Sequence, residues 1–317
     1  MKLLVTRRMT HDAESAIRAR FETDFRESTA PMTEAEAVEA LAGYDLIMPT
    51  LGDGFRANAF AASAPRAKLL ANFGAGFNHI DLDAAKAAGV AVTNTPNVVT
   101  ASTAELAVTL LLMTARRTAE GERLARGGEW TGWHPTQMLG APVTGQTVGI
   151  IGMGRIGRTI ARRLHLGFDM DVVFYNRSAV SALDFPAAQL DRIEDVMLAS
   201  DFVVIAVPGG AETHHLIDSA ALHALGADGI MINIARGDVI DQKALIIALT
   251  SGKIRAAGLD VFEFEPDIPA ELRSLENVVL LPHLGTAVEA TRTEMALRAL
   301  DNLVAFEEGR SLPDQII

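Results

Sequence analysis

The chain has 317 residues, 49% of them hydrophobic and 21% charged, with no cysteine and a formal net charge of -12 at pH 7. That length exceeds what one core of ordinary size supports, so two domains are expected. The lack of cysteine excludes disulfides and thiolate zinc sites and points to a reducing cytoplasm, while the acidic balance disfavours nucleic acid and anionic lipid as partners.

The N-terminal "MKLLVTRR" is a short apolar run broken by arginines. The longest later run, "LAVTLLLMTA" between Glu105 and Arg116, falls short of the about 18 apolar residues that a membrane span needs. Neither export nor membrane insertion is expected. From the start, β-like runs ("KLLVT", "YDLIMPT", "AKLLANF", "VAVTNTP") alternate with Ala-rich helical patterns ("DAESAIRARF", "DLDAAKAAG"), which predicts βα units and a parallel sheet. Next, "TASTAELAVTLLLMTARRTAEGERLARGG" reads as one long helix, begun after Pro96 and ended at Gly127 and Gly128, with the look of an interdomain or intersubunit helix.

A second series then supplies "TVGIIG", "DVVFYN", "DFVVIAVP", "GIMINIA", "IRAAGLDVF" and "NVVLLPH". These are continuous apolar runs, as in strands covered on both faces, and six of them make a full doubly wound sheet. After His283 an amphipathic helix remains with no strand left to pair, and it would pack back on the first domain. The expected architecture is α/β with two doubly wound parallel-sheet domains. A dinucleotide-binding Rossmann domain (98–283) is inserted into a flavodoxin-like substrate-binding domain (1–97 and 284–317).

In "TVGIIGMGRIGRTIARRL", Gly152, Gly154 and Gly157 follow a strand and open a helix. There backbone amides face a dinucleotide pyrophosphate, the second glycine allows close approach, and the third lets helix and strand pack. The next strand ends in "YNRS", without the acid that usually accepts hydrogen bonds from the adenosine ribose. Asn176 lacks the charge that would repel a 2′-phosphate, Arg177 offers it a cationic fork and Ser178 a further donor, so NADP(H) is preferred with NAD(H) possible. The plainer alternative is a solvated loop arginine beside a permissive NAD site.

Three further strands end in Arg236, in Asp260 followed by Glu265, and in His283. Singly these are a surface cation, a turn acid and a satisfied histidine. Together they meet the needs of 2-oxo acid reduction: a cation for the carboxylate, a proton donor for the carbonyl oxygen and a carboxylate to orient the imidazole and favour its charged form. The adjacent His214 and His215 should point opposite ways, and "HIDLD" (His79 to Asp83) falls in a helix-start pattern, so no metal site is expected. Trp130 and Trp133 either line a pocket or pack a loop.

The segments "NFGAGFNHIDLDAAKAAGVAVTNTP", "TAELAVTLLL", "GMGRIG", "INIARGDVID", "GLDVFEFEP" and "PHLGTA", in this order and spacing, resemble the D-isomer-specific 2-hydroxyacid dehydrogenase family over nearly the whole chain. The resemblance implies Arg236 as substrate clamp, His283 as acid/base and Glu265 as its partner, with Asp260 holding the nicotinamide amide. It further implies cofactor contacts from Thr103, Gly152, Gly154, Arg155, Ile156, Gly157, Asn176, Arg177, Ser178, Val207, Pro208, Thr213, Ile234, Ala235 and Gly285. Substrate contacts would come from Leu51 and Gly52, from the backbone amides of Ala75 and Gly76, and from Arg236 and His283.

"YNRS" and "GEWTGWHP" are most similar to the NADPH-using glyoxylate/hydroxypyruvate reductase branch, where the segment after the long helix contributes to a homodimer. The expected substrates are small 2-oxo or 2-hydroxy acids. The alternatives are a non-catalytic NAD(P)-sensing protein like the family's corepressors, an NADH-linked dehydrogenase of another D-2-hydroxy acid, or phosphonate or phosphite oxidation on the same scaffold; formate oxidation is disfavoured, because its family carries a longer N-terminal segment.

Overall fold

The apolar runs of the first hundred residues form short strands and the Ala-rich runs between them form helices, in the computed structural model that describes residues 1–62 and 64–317. In chain order these are β1 (Lys2–Val5), α1 (His11–Arg18), β2 (Glu22–Phe25), α2 (Glu34–Gly43), β3 (Leu46–Met48), α3 (Ala57–Ala61), β4 (Leu69–Ala71), α4 (Leu82–Ala87) and β5 (Ala91–Thr93). Next come α5 (Thr100–Ala115), α6 (Thr118–Arg126), β6 (Thr147–Ile151), α7 (Arg155–Phe168), β7 (Asp171–Tyr175), β8 (Ala188–Gln189), α8 (Ile193–Leu198) and β9 (Phe202–Ile205). The chain continues through α9 (Ser219–Leu225), β10 (Ile230–Asn233), α10 (Gln242–Thr250), β11 (Ala256–Leu259), α11 (Ala270–Arg273) and β12 (Val278–Leu280) to α12 (Glu289–Glu307).

The chain divides into one unit of Met1–Val99 with Thr286–Ile317 and another of Thr100–Gly285, so it passes between them two residues beyond the expected Asn97 and His283. In the first unit a parallel sheet runs in the order β2-β1-β3-β4-β5, the flavodoxin-like order. Alternate residues of each strand face opposite ways. Leu4, Ile47 and Leu70 pack with Leu41 of α2 and Phe60 of α3, while Leu3, Val5, Leu46, Met48 and Leu69 pack with Ile17 of α1 and Leu303 of α12. Both faces are covered, which is why these strands read as unbroken apolar runs.

The second unit holds a parallel sheet in the order β12-β11-β10-β9-β6-β7-β8. Chain order reverses between β6 and β9, and a crevice at that point is where such folds take ligands. The six expected strands are all present, and β8 adds a seventh. Ala104, Ala107, Leu110 and Leu111 of α5 are buried inside this unit's own core.

Two expectations need correction. The single long helix is broken: Arg117 is left-handed (φ 51°, ψ 34°) between α5 and α6, and α6 buries none of its residues. The cause is tertiary, because Ala141 donates its amide to the Ala115 carbonyl at 2.8 Å and a side chain at Gly140 would lie 2.3 Å from that oxygen. The returning chain takes the acceptor that the next helical turn needs. The tail after α12 also pairs after all: Ile316 donates to the Val92 carbonyl at 2.8 Å, and Gln315 bridges Thr93 antiparallel. Among the described residues no helix is long and apolar enough to cross a membrane.

Candidate active site

The glycine turn after β6 is shaped by close approach. Gly152 has φ 101°, and a Cβ there would sit 2.8 Å from the Ala206 carbonyl oxygen and from Val207. A Cβ at Gly157 would lie 2.1 Å from the Gly152 oxygen, whereas one at Gly154 meets nothing within 4 Å. Gly154 opens α7 with no side-chain cap, and no acid stands in the first turn. An open space at the head of a helix that has no side-chain cap fits a pyrophosphate, so the turn suits a dinucleotide on geometry as well as on spacing. Arg155 is exposed at the head of α7, and Ile156 packs against the core.

Asn176 stands where the ribose-binding acid is usually found. Its Oδ1 accepts from the Met153 amide at 3.2 Å, and its Nδ2 donates to the Ser178 carbonyl at 3.0 Å. Gln189 of β8 braces the same turn through the carbonyls of Asn176 and Ser178. The exposed Arg177 is ion-paired with Glu212, a residue that the sequence reading had not singled out. Glu212 lies on the loop after β9, where Thr213 donates its hydroxyl to the Pro208 carbonyl at 2.8 Å.

Beyond β10, the buried Asn233 builds the turn that presents Arg236. Its Oδ1 accepts from Ala235 N at 3.0 Å and its Nδ2 donates to the Arg236 carbonyl at 2.9 Å; Ile234 and Ala235 between them are buried. Gly237 lies so close to the 262–263 backbone that a Cβ would fall 1.8 Å from Phe262 C, which holds Arg236 beside that loop. Arg236 donates from Nη1 to the Ala235 carbonyl at 2.6 Å, while its Nε is buried without a partner among the described residues. Burial pushes its pKa down, offset in part by Glu265 and Asp238. A part-buried fork with a spare donor suits a carboxylate ligand.

His283 and Glu265 meet: Nδ1 lies 2.8 Å from Oε2, with both side chains 29% exposed. The other Glu265 oxygen accepts from the Phe262 amide at 3.0 Å. Burial opposes the Glu265 charge, but the bond and charge of His283, that amide and Arg236 together hold its pKa below the usual carboxylate range. A carboxylate on Nδ1 makes that nitrogen the donor and leaves Nε2 to exchange a proton with a ligand.

The buried Asp260 accepts from the amides of Leu284 at 2.6 Å and Gly285 at 2.9 Å, and its peptide carbonyl accepts from His283 N at 2.9 Å. It thereby ties the end of β11 to the turn carrying His283, where φ is 54°. Burial drives its carboxyl pKa up against those two amide bonds. A Cβ at Gly285 would stand 3.5 Å from both Asp260 Oδ2 and Thr103 Oγ1, so these three expected cofactor residues are neighbours.

In the first unit, Leu51 is exposed beside Gly52 (φ 86°), and the loop is anchored by groups the sequence reading missed. The buried Asp53 accepts from the amides of Thr50 at 2.8 Å and Met32 at 2.9 Å, and Arg7 donates to the Leu51 carbonyl at 3.1 Å. Ala75 and Gly76 lie in the turn after β4, partly buried.

His214 and His215 do not point apart: their rings stack at 3.9 Å between centroids, because His215 takes a left-handed backbone (φ 50°) and its Nε2 reaches Glu263 at 3.0 Å. Among the described residues no group of three or more His, Cys, Asp or Glu is placed to hold a metal ion. Trp130 and Trp133 are 57% and 78% exposed in a segment without regular structure.

The strand ends of this doubly wound unit bring together a part-buried arginine, a carboxylate–histidine pair and a buried aspartate, an arrangement of the kind found in dinucleotide-dependent dehydrogenases. The family model for the D-isomer specific 2-hydroxyacid dehydrogenase NAD binding domain matches residues 108–285, and the chain belongs to that family. It is 40% identical to a glyoxylate reductase of Thermococcus onnurineus, over 98% of this chain and 94% of that one.

Among solved structures it is similar to a Thermus thermophilus protein (TM-score 0.92, 37% identity, all of both chains covered). It is also similar to an NADPH-dependent glyoxylate/hydroxypyruvate reductase of Sinorhizobium meliloti in complex with NADP and malonate (TM-score 0.88, 33% identity, covering 99% of this chain and 96% of that one).

Proposed function

We propose that this protein reduces small 2-oxo acids, glyoxylate and hydroxypyruvate foremost, to the corresponding 2-hydroxy acids at the expense of NADPH. The observation that carries the reading is the 2.8 Å His283–Glu265 pair in the same unit as Arg236, whose Nε is buried and unpartnered among the described residues. Relatives named as glyoxylate reductases support the substrate class.

A bound reduced nicotinamide supplies the hydride. Arg236 holds the substrate carboxylate with its planar fork, which fixes the carbonyl for attack. His283 gives the Nε2 proton to the carbonyl oxygen as negative charge develops there, and Glu265 holds the ring through Nδ1 and stabilises its charged form. Asp260 keeps the 283–285 turn in place and would hold the nicotinamide amide of a bound cofactor. The N–H groups of Ala75 and Gly76 are donors for a carboxylate.

The cofactor preference rests on Asn176, Arg177 and Ser178. A 2′-phosphate would draw Arg177 from Glu212, so the pairing found here sets a competition within the site. The exposed Trp130 and Trp133 belong to the contact with a second copy of the chain.

Initial rates with NADPH and NADH against glyoxylate, hydroxypyruvate, pyruvate and phenylpyruvate test the reading. Turnover of the first two with NADPH favoured is expected; no oxidation of either dinucleotide with any of them would refute it.

A further inference from the structure

The turn after β4, "NFGAGF", is fixed by two asparagine side chains. Asn72 is 1% exposed and donates from Nδ2 to the carbonyls of both Gly74 and Gly76, at 3.0 Å each. Asn94, just past β5, donates from Nδ2 to the Ala75 carbonyl at 2.8 Å, and the Thr95 amide adds a bond to the Gly74 carbonyl at 3.1 Å. Three consecutive carbonyls are thus bound on the side of the two asparagines, which neighbour each other through the bond from Asn72 N to Thr93 O at 3.0 Å.

An extended strand would alternate its carbonyls. In a planar trans peptide the carbonyl of one residue and the N–H of the next point opposite ways. Binding the Gly74 carbonyl therefore turns the Ala75 N–H away from the asparagines, and binding the Ala75 carbonyl does the same for the Gly76 N–H. Among the described residues neither amide is bonded to another group of the protein. Two adjacent N–H groups facing one way form an anion-binding concavity.

We propose that Asn72 and Asn94 are positioning residues for the substrate: their side-chain amides set the turn so that the Ala75 and Gly76 N–H groups form a fixed pair of donors for the carboxylate of a small 2-oxo acid. This rests on the reading that these two amides receive a carboxylate. Asn72 has no donor to spare, since both hydrogens of its amide are used. At Asn94 an aspartate would set an acceptor against the Ala75 carbonyl and favour rotation of the 75–76 peptide, which withdraws the Gly76 N–H.

The test uses the full chain saturated with NADPH and titrated with oxamate, an isostere of a 2-oxo acid, by the quenching of nicotinamide fluorescence. Asn94→Asp should raise the oxamate Kd and the KM for glyoxylate about tenfold, the worth of one hydrogen bond to a charged group. Asn94→Ser should act in the same direction. The Kd for NADPH should stay within about twofold and kcat should change much less than KM, because positioning acts on the bound carboxylate alone.

Asn72→Asp should lose more; if it does not fold, the two Asn94 variants decide, each checked by its melting temperature. Replacing Ala75 by lactic acid through nonsense suppression exchanges that N–H for an ester oxygen and also weakens the Gly74 carbonyl as an acceptor. Unchanged oxamate affinity there would refute the amide reading itself. Weakened affinity there, with folded Asn94 variants binding oxamate normally or losing only kcat or NADPH affinity, would overturn the positioning proposal alone.

Discussion

Replacing Glu265 by glutamine keeps the size of the side chain and an acceptor for His283 Nδ1 while deleting the charge. The native contact is 2.8 Å between groups that are each 29% exposed, so it is screened only in part. A hydrogen bond to a charged group contributes about 1.5–3 kcal/mol and a neutral one about 1 kcal/mol. With partial exposure, the difference is about 1.4 kcal/mol, which corresponds to about one pH unit.

The sign follows from geometry: a carboxylate 2.8 Å from Nδ1 stabilises the positive charge of the protonated ring, and a neutral amide in its place does so less. Reduction needs that proton. The basic limb of the kcat/KM profile for glyoxylate should therefore move down by about one pH unit in Glu265→Gln, while oxidation of the hydroxy acid, which needs the neutral ring, gains relatively at neutral pH. His283→Ala should lower kcat by about 10²–10⁴ and leave NADPH affinity largely intact. An unmoved basic limb in the glutamine variant, or full activity in the alanine variant, would remove the pair from the mechanism.

Arg177→Ala should weaken NADPH about tenfold, the low end for a charge-assisted contact at an exposed site, and NADH hardly at all; equal losses would reject Arg177 as the phosphate reader. Glu212→Gln, which removes the competing carboxylate, should raise the NADPH-to-NADH ratio of kcat/KM, and a lower ratio would refute the competition. Arg236→Lys keeps the charge but loses the bidentate fork, so both KM for glyoxylate and kcat should suffer; near-normal kinetics would mean the carboxylate is held elsewhere. Trp133→Glu should shift sedimentation at low protein concentration toward a single chain, and an unchanged distribution would take that exposed indole out of the subunit contact.

The features legible in the sequence are those that burial writes into it. Strands covered on both faces, such as β3, β4, β9 and β10, appear as unbroken apolar runs, and the glycine turn is legible because Gly152 and Gly157 have no room for a side chain. The polar edge strand β2 ("ETDF") and the two-residue β8 carry no such pattern and were not expected. The break at Arg117 is set by Gly140 and Ala141 reaching the end of α5, a contact no local pattern encodes.

His283 and Glu265 are legible as candidates because each follows an apolar run and because the order of motifs resembles a family. The groups that brace the candidate residues within each unit were missed for a common reason. Asn72, Asn94, Asn233, Asp53 and Glu212 act through hydrogen bonds or ion pairs across turns and between loops, and a polar residue in a turn reads the same whether it is solvated or holding a backbone.

The central claim, hydride transfer to the carbonyl carbon of a small 2-oxo acid, is tested most directly by isotope transfer. The purified protein would be given NADPH deuterated at both C4 positions together with hydroxypyruvate, and the glycerate formed would be analysed for label and configuration. One deuterium at C2 of D-glycerate for each NADPH oxidised is the predicted result. Oxidation of NADPH without label in the product, or no glycerate at all, would contradict it.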